Sequence, residues 1–342
     1  MKILRMIVAG LAGFACAVSL VGIVYLFTLQ ATVMNRSAVK SWISDNKIYD
    51  GKLITALVQT SSADSPQSNI PSSAINVSPE IIKSAMVATF PPDFVQMHTE
   101  AVIDSAYDWI EGKSPEFKFS IPIDQKRDTF IQQLSKSLEP QVTVLPVCGS
   151  VRIAQNIACR PPNLTAEQFA VQITTQSLSA SETFTTPLTN ESFSQSTQND
   201  TPQPGTSLLP RLPMLHAATD MLFVILPTIA IISVLTVIFV NTAGHRLVAS
   251  ARLARLIFFS MLVTFTPALI ILFILKYNDF GLVNLFGAQM GELIVPLIKT
   301  IIIDIAYNLA IFSGIAGILA VITWIILSVQ QQRLLKNTAQ IQ

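Results

Sequence analysis

The chain has 342 residues, of which 51% are hydrophobic and only 13% charged, and its formal net charge is +1. A soluble domain carries about 25% charged residues. An ordinary soluble enzyme and a disordered tail are therefore excluded, and a nearly neutral chain has no general pull towards nucleic acid. With 3 Cys and 3 His, a multi-cysteine zinc scaffold is excluded as well.

Residues 1–5 form a basic N-terminus (Lys2, Arg5), and the apolar run 6–29 follows without a charge. This run is far longer than the ~7–15 residues of a cleaved signal's apolar region, so it reads as a signal anchor, with Cys16 a small apolar residue inside it. Three more such runs, 221–243, 256–275 and 305–329, give predicted transmembrane helices at 220–243, 256–276 and 304–329. About 20 residues are needed to cross a ~30 Å hydrocarbon core as helix. Basic residues set the orientation. They lie at 1–5, in the loop 244–255 (Arg246, Arg252, Arg255) and in the tail 330–342 (Arg333, Lys336), and none of these segments contains Asp or Glu. All three are predicted to be cytoplasmic, which puts both termini inside and the hydrophilic mass 30–216 outside a cell membrane. That mass holds 13 basic and 17 acidic residues.

Residues 30–172 are predicted to form an extracytoplasmic domain, large enough for one core. Short helices are expected within 36–58 and a loop over 61–76. Ser78-Pro79 starts a helix that Pro91-Pro92 ends. Residues 93–111 form an amphipathic helix with Gly112 as C-cap. Phe117, Phe119, Ile121 and Ile123 alternate with polar residues, which predicts a strand over 117–123. Asp124 is placed to cap a third helix reaching about 138, and 141–147 reads as strand or extended connector. Cys148 and Cys159 are expected to pair, because two cysteines of one domain in an oxidising space usually do. Residues 173–216 read as a polar tether with room for a short strand or two: 22 of the 35 residues from 173 to 207 are Ser, Thr, Asn or Gln. Residues 277–303 are predicted to be an extracytoplasmic amphipathic segment with Pro296 inside it, lying along the membrane surface or extending the last span. The fold expected is thus membrane α-helical, with four transmembrane helices and a mainly helical α+β extracytoplasmic domain.

The segments Val77-Ser78-Pro79-Glu80, Phe90-Pro91-Pro92, Tyr107-Asp108-Trp109-Ile110-Glu111-Gly112, Phe117-Lys118-Phe119-Ser120-Ile121 and Cys159-Arg160-Pro161-Pro162 resemble a family of uncharacterised bacterial multi-pass membrane proteins. Members have an N-terminal anchor, an extracytoplasmic domain with a cysteine pair and a C-terminal membrane part. That resemblance covers roughly 78–162 and implies layout and bacterial origin, with no activity attached. The order of one span, a large outer domain and three further spans also resembles FtsX- and MacB-like permeases, which transmit force between an ATPase and an extracytoplasmic partner. Val240-Asn241-Thr242 and Arg246 sit where such proteins carry a cytoplasmic coupling segment.

Chemistry is sparsely marked. Glu100, Asp104 and Asp108 recur every fourth residue, with Glu111 beyond them. On a helix this is an acidic stripe, either a cation or acid/base site or a solvated face neutralised by Lys113 or Lys126. His98 lies near the stripe with no marked nucleophile, and no phosphate-binding glycine loop or metalloprotease motif is present. No catalytic residue, metal ligand or cofactor is expected. Asp304 opens the last span beside Asn308; an acid at membrane depth is a candidate for function, or a structural partner of Lys299 or Lys276. Small residues recur every four positions at Ala9, Gly13 and Ala17 and at Ala306, Ala310 and Gly314, favouring close helix contacts or a membrane-protein partner. The reading is a non-enzymatic envelope binding or scaffolding protein whose partners are the lipid bilayer and an envelope protein or cell-wall component. A force-transmitting permease, or a membrane transporter or embedded enzyme, are the alternatives.

Overall fold

In the computed structural model, residues 2–52, 78–148, 159–179, 186–190, 211–240, 246–277 and 288–339 are described. The expected loop at 61–76 and most of the tether lie outside them. In chain order the helices are α1 (Lys2–Ala31), α2 (Arg36–Asp45), α3 (Pro79–Thr89), α4 (Pro92–Ile110), α5 (Arg127–Val144), α6 (Ala166–Ser179), α7 (Leu212–Val240), α8 (Arg246–Tyr277) and α9 (Ala288–Ala339). A π-helical turn at Ile48–Lys52 follows α2, and a 3₁₀ turn at Asp124–Lys126 precedes α5. Strands β1 (Ser120–Ile121) and β2 (Leu188–Thr189) pair antiparallel, with Ser120 opposite Thr189. The chain divides into two compact units. One comprises Met1–Trp42, Pro210–Leu282 and Pro296–Gln342; the other comprises Ile43–Leu209 and Val283–Val295.

The first unit is built from long apolar helices. Four stretches are long and apolar enough to cross a membrane: Ile3–Ala31, Leu212–Val240, Leu247–Leu275 and Ile294–Arg333. Their packing uses small inward residues. Cys16, Val237 and Leu253 form one cluster, and Val24, Met261, Ala268, Leu309 and Ala310 another. Gly22 lets α1 approach α7 closely: a Cβ there would come within 2.7 Å of Leu226. Buried Thr28, Thr32 and Ser313 satisfy their hydroxyls on the carbonyls of Val24, Thr28 and Leu309, one turn back, the usual solution where no water is at hand. The outer faces are the reverse of a soluble bundle. Phe14, Phe239, Val263 and Phe273 expose 66–72% of their surface, an apolar covering that suits lipid and would aggregate in water.

The second unit has its own core. Phe130, Leu134, Leu138 and Val142 stand every four residues along α5 and are all at least nine-tenths buried, against Ala85 of α3 and Ala170 of α6. Proline punctuation shapes the helices. Pro79 opens α3, and Pro91 and Pro92 close it and open α4. Gly112 (φ +73°) ends α4: its N–H donates to the Trp109 carbonyl and that of Lys113 to Asp108. This pair of bonds needs a left-handed residue at Gly112. Thr165 and Gln168 cap α6 reciprocally, side chain to backbone in both directions.

Several expectations need correction. The strand over 117–123 contracts to Ser120–Ile121, because Phe117 packs on Trp109 and Phe119 (ring centroids 6.1 and 5.3 Å apart) instead of extending a ladder. Residues 141–144 are helix, not strand: Val142 completes the buried row of α5, which runs through Pro140. Asp124 makes no side-chain cap and starts a 3₁₀ turn. The tether is helical to Ser179, which its polar composition hid, while β2 is a short strand of the kind expected there. The loop 244–255 is helix from Arg246. Of the two placements expected for 277–303 the second is found: it is helix from Ala288, continuous with the last span in a 52-residue α9.

Cys148 and Cys159 are disulfide-bonded, with Cα atoms 4.9 Å apart. The bond is framed by backbone pairing of Cys148 with Arg160 and of Arg160 with Pro146. Closing so short a loop contributes about 3 kcal/mol in the loop-entropy account. Non-reducing mass spectrometry should find the two linked, and Cys148→Ser should lower the melting temperature. Recovering both as free, alkylated thiols without prior reduction would contradict the pairing.

Candidate functional site

α4 carries the acidic stripe. Its helix spacing does place Glu100, Asp104 and Asp108 along one side, but each is engaged with neighbours and none stands as a bare carboxylate. Glu100 accepts a 2.7 Å hydrogen bond from Gln96, one turn back. Glu111 pairs with Lys113 at 2.5 Å, the basic neighbour expected from sequence. Lys126, the other one expected, instead lies over the Phe94 ring, 5.1 Å from its centroid. Among the described residues, no three His, Cys, Asp or Glu side chains come together as a metal site.

What sequence reading did not single out is Tyr49. The π-helical turn packs on α4 and buries Tyr49 to 5% exposure. Among the described residues its hydroxyl has no hydrogen-bond partner, and neither has Nε2 of His98 or Oδ1 of Asp124. The His98 ring packs tilted against that of Phe94, with centroids 4.3 Å apart. Burial, and secondly the nearby Glu100 charge, push the Tyr49 hydroxyl above its ordinary pKa. The folded state therefore holds this proton where the unfolded chain releases it. The stability it contributes is present below about pH 10 and falls as the pH rises further. As chemistry, the face is best described as a polar surface with a buried phenol behind it.

One result follows for the stripe. Glu100→Gln and Asp104→Asn should change stability by no more than ~0.5 kcal/mol, added calcium should not raise the melting temperature, and Glu100→Gln should lower the pH at which Tyr49 ionises in an ultraviolet titration. A calcium-dependent stabilisation lost in both variants would instead mark a cation site.

The second locus lies in the unit of apolar helices. Trp42 of α2 is 4% exposed, and its indole N–H donates to Oδ2 of Asp304 at 2.7 Å. Asn308 donates to the Asp304 backbone carbonyl. The expected partners were Lys299 and Lys276. Lys299 also makes an interaction, and the Lys276 side chain lies outside the described residues. Of the other flagged residues, His216 approaches Asp220 one turn on at 3.7 Å, and His245 lies outside the described residues. Of the small residues, Ala17, Ala306 and Ala310 are buried and Gly314 meets Phe265, so within one chain they serve helix contact.

The geometry defines a helical protein with one unit of four helices long and apolar enough to cross a membrane and a second, disulfide-bonded unit. No protein-family model, curated protein or solved structure matches the chain.

Proposed function

We propose that this is a multi-pass protein of a bacterial cell membrane, with both termini in the cytoplasm and a mainly helical α+β domain outside, where it binds or scaffolds an envelope partner without catalysis. The observation that carries the reading is the division of the chain into a unit of four apolar helices and a unit with a core and disulfide of its own. The acid-free basic segments at 1–5, 244–255 and 330–342 support the orientation, and a disulfide supports an oxidising compartment for the second unit. Crosslinking in intact cells followed by purification of the full chain tests it. Capture of an envelope protein or cell-wall fragment through residues 78–179 is the expected result; recovery of crosslinks to cytoplasmic proteins alone would contradict it.

The force-transmitting alternative draws on α9. Its 52 residues form one helix of about 78 Å, well over twice the ~30 Å hydrocarbon core. A helix continuous with a span is the mechanical element such a protein requires. Co-purification of a cytoplasmic ATPase, lost when Arg246 and Arg252 are replaced by Glu, would favour this reading over scaffolding.

A further inference from the structure

The groove between α8 and α9 is lined by Phe258, Leu262 and Phe265 on one side and by Gly314, Gly317 and Val321 on the other, and it measures about 320 Å³. Gly314 and Gly317 form its floor, where a Cβ would meet Phe265 or Met261 at 3.6 Å, and the groove above them is bounded almost wholly by carbon. The same two helix faces lead to Arg255 and Trp324: Arg255 precedes Phe258 and Leu262 by three and seven residues, and Trp324 follows Val321 and Gly317 by the same steps. The Arg255 guanidinium lies 5.9 Å from the Trp324 ring and 5.7 Å from that of Phe259. Arg252 stands one turn further out, and both arginines are exposed.

Among the described residues neither arginine is paired with an acid. No Asp or Glu occurs in 1–44, 221–278 or 305–342, the sequence that supplies nearly all of the four spans. Depth agrees with an interfacial position. From Arg255 to the other end of the apolar stretch at Leu275, and from Trp324 back to Asp304, is about 20 residues, or ~30 Å as helix, the thickness of a hydrocarbon core. Trp324 and Arg255 therefore fall at one membrane surface, where tryptophan and arginine both favour the headgroup layer.

We infer that this groove binds an anionic phospholipid of the surrounding bilayer, its phosphate held by Arg252 and Arg255 and one acyl chain lying along the groove past Leu262 and Ile318. A basic cluster at the mouth of an apolar interhelical groove has the complementarity such a lipid needs: the guanidinium forks donate to phosphate oxygens, and the groove receives the tail. The inference rests on the membrane reading of the four helices and adds a ligand to it.

The test uses the full chain in detergent, titrated with phosphatidylglycerol, phosphatidylcholine or glycerol 3-phosphate, with bound lipid counted by native mass spectrometry and stability followed by melting temperature. Phosphatidylglycerol should bind tenfold or more tighter than phosphatidylcholine, and glycerol 3-phosphate, which has no tail, should have no effect. Arg252→Gln with Arg255→Gln should remove the preference, and Arg252→Lys with Arg255→Lys should keep most of it. Equal binding of the two lipids by the natural chain, a preference that survives the Gln pair, or full competition by glycerol 3-phosphate would overturn the inference. A chain that partitions into the aqueous phase without detergent would instead sink the membrane reading beneath it.

Discussion

Leu138→Ala should destabilise the disulfide-bonded unit by about 2–5 kcal/mol, the range for emptying a leucine site in a packed core. Leu138 is 1% exposed and sits between Leu134 and Val142 in the row that α5 turns towards Ala85 and Ala170. Those two alanines are the reason the cost should fall high in the range. They carry no side-chain length with which to refill the space, and as residues of α3 and α6 they mark where the neighbouring backbones already come close. The change leaves the apolar helices of the other unit untouched, so thermal unfolding in detergent should show a lowered transition for this unit with the helical signal of the spans retained. An exposed position on the same helix, such as Gln141→Ala, should shift the transition by no more than ~0.5 kcal/mol. Equal effects at the two positions would mean that α5 does not carry the core.

Replacing Asp304 separates structure from transport. The carboxylate accepts from a buried indole N–H, and Asn offers a carbonyl oxygen to the same donor, so Asp304→Asn should be tolerated. Asp304→Leu takes away the acceptor and should cost about 1–3 kcal/mol, the penalty for a buried donor left unmade. Asp304→Lys adds a cation against a donor that cannot accept, and it should reduce the amount of protein assembled in the membrane. Trp42→Phe should cost less when combined with Asp304→Leu than alone, with a coupling of about 0.5–3 kcal/mol between the two. A membrane-level blot beside a complementation assay gives the decision. Normal abundance of Asp304→Asn with complete loss of function would contradict the structural role and favour a proton or ion pathway.

The parts of this architecture that were legible in sequence are those fixed by local rules. Four charge-free runs mark the apolar helices, since length and hydropathy alone decide whether a helix can cross a bilayer. Pro79, Pro91, Pro92 and Gly112 mark the limits of α3 and α4, because each residue restricts or frees its own backbone. Missing were features that depend on distant partners. Trp42 and Asp304 are 262 residues apart, and no spacing rule links them; the only signal was a lone tryptophan just beyond the first span. Tyr49 is buried by a turn packed on α4, again a tertiary event. The period-two run at 117–123 suggested a strand, but a ladder needs a partner of matching length, and β2 offers two residues. One omission was avoidable. Thr165-Ala166-Glu167-Gln168 is a capping-box sequence, and reading it as one would have placed α6 and shortened the tether. The extension of the last span back to Ala288 was legible in its amphipathic pattern, but its reach to Ala339 was not, because that polar end carries helix formers without the apolar continuity that marks a span.

The account as a whole stands on sidedness, and thiol labelling in intact cells tests it directly. In a Cys16→Ala background, with Cys148 and Cys159 left paired, single cysteines would be placed at Ser196, at Ser250 beside Arg252 and at Asn337 beside Lys336. An impermeant maleimide should label Ser196→Cys in intact cells and reach Ser250→Cys and Asn337→Cys only after lysis. Labelling of Ser250→Cys or Asn337→Cys in intact cells, with Ser196→Cys protected, would contradict the account and turn the protein over in the membrane.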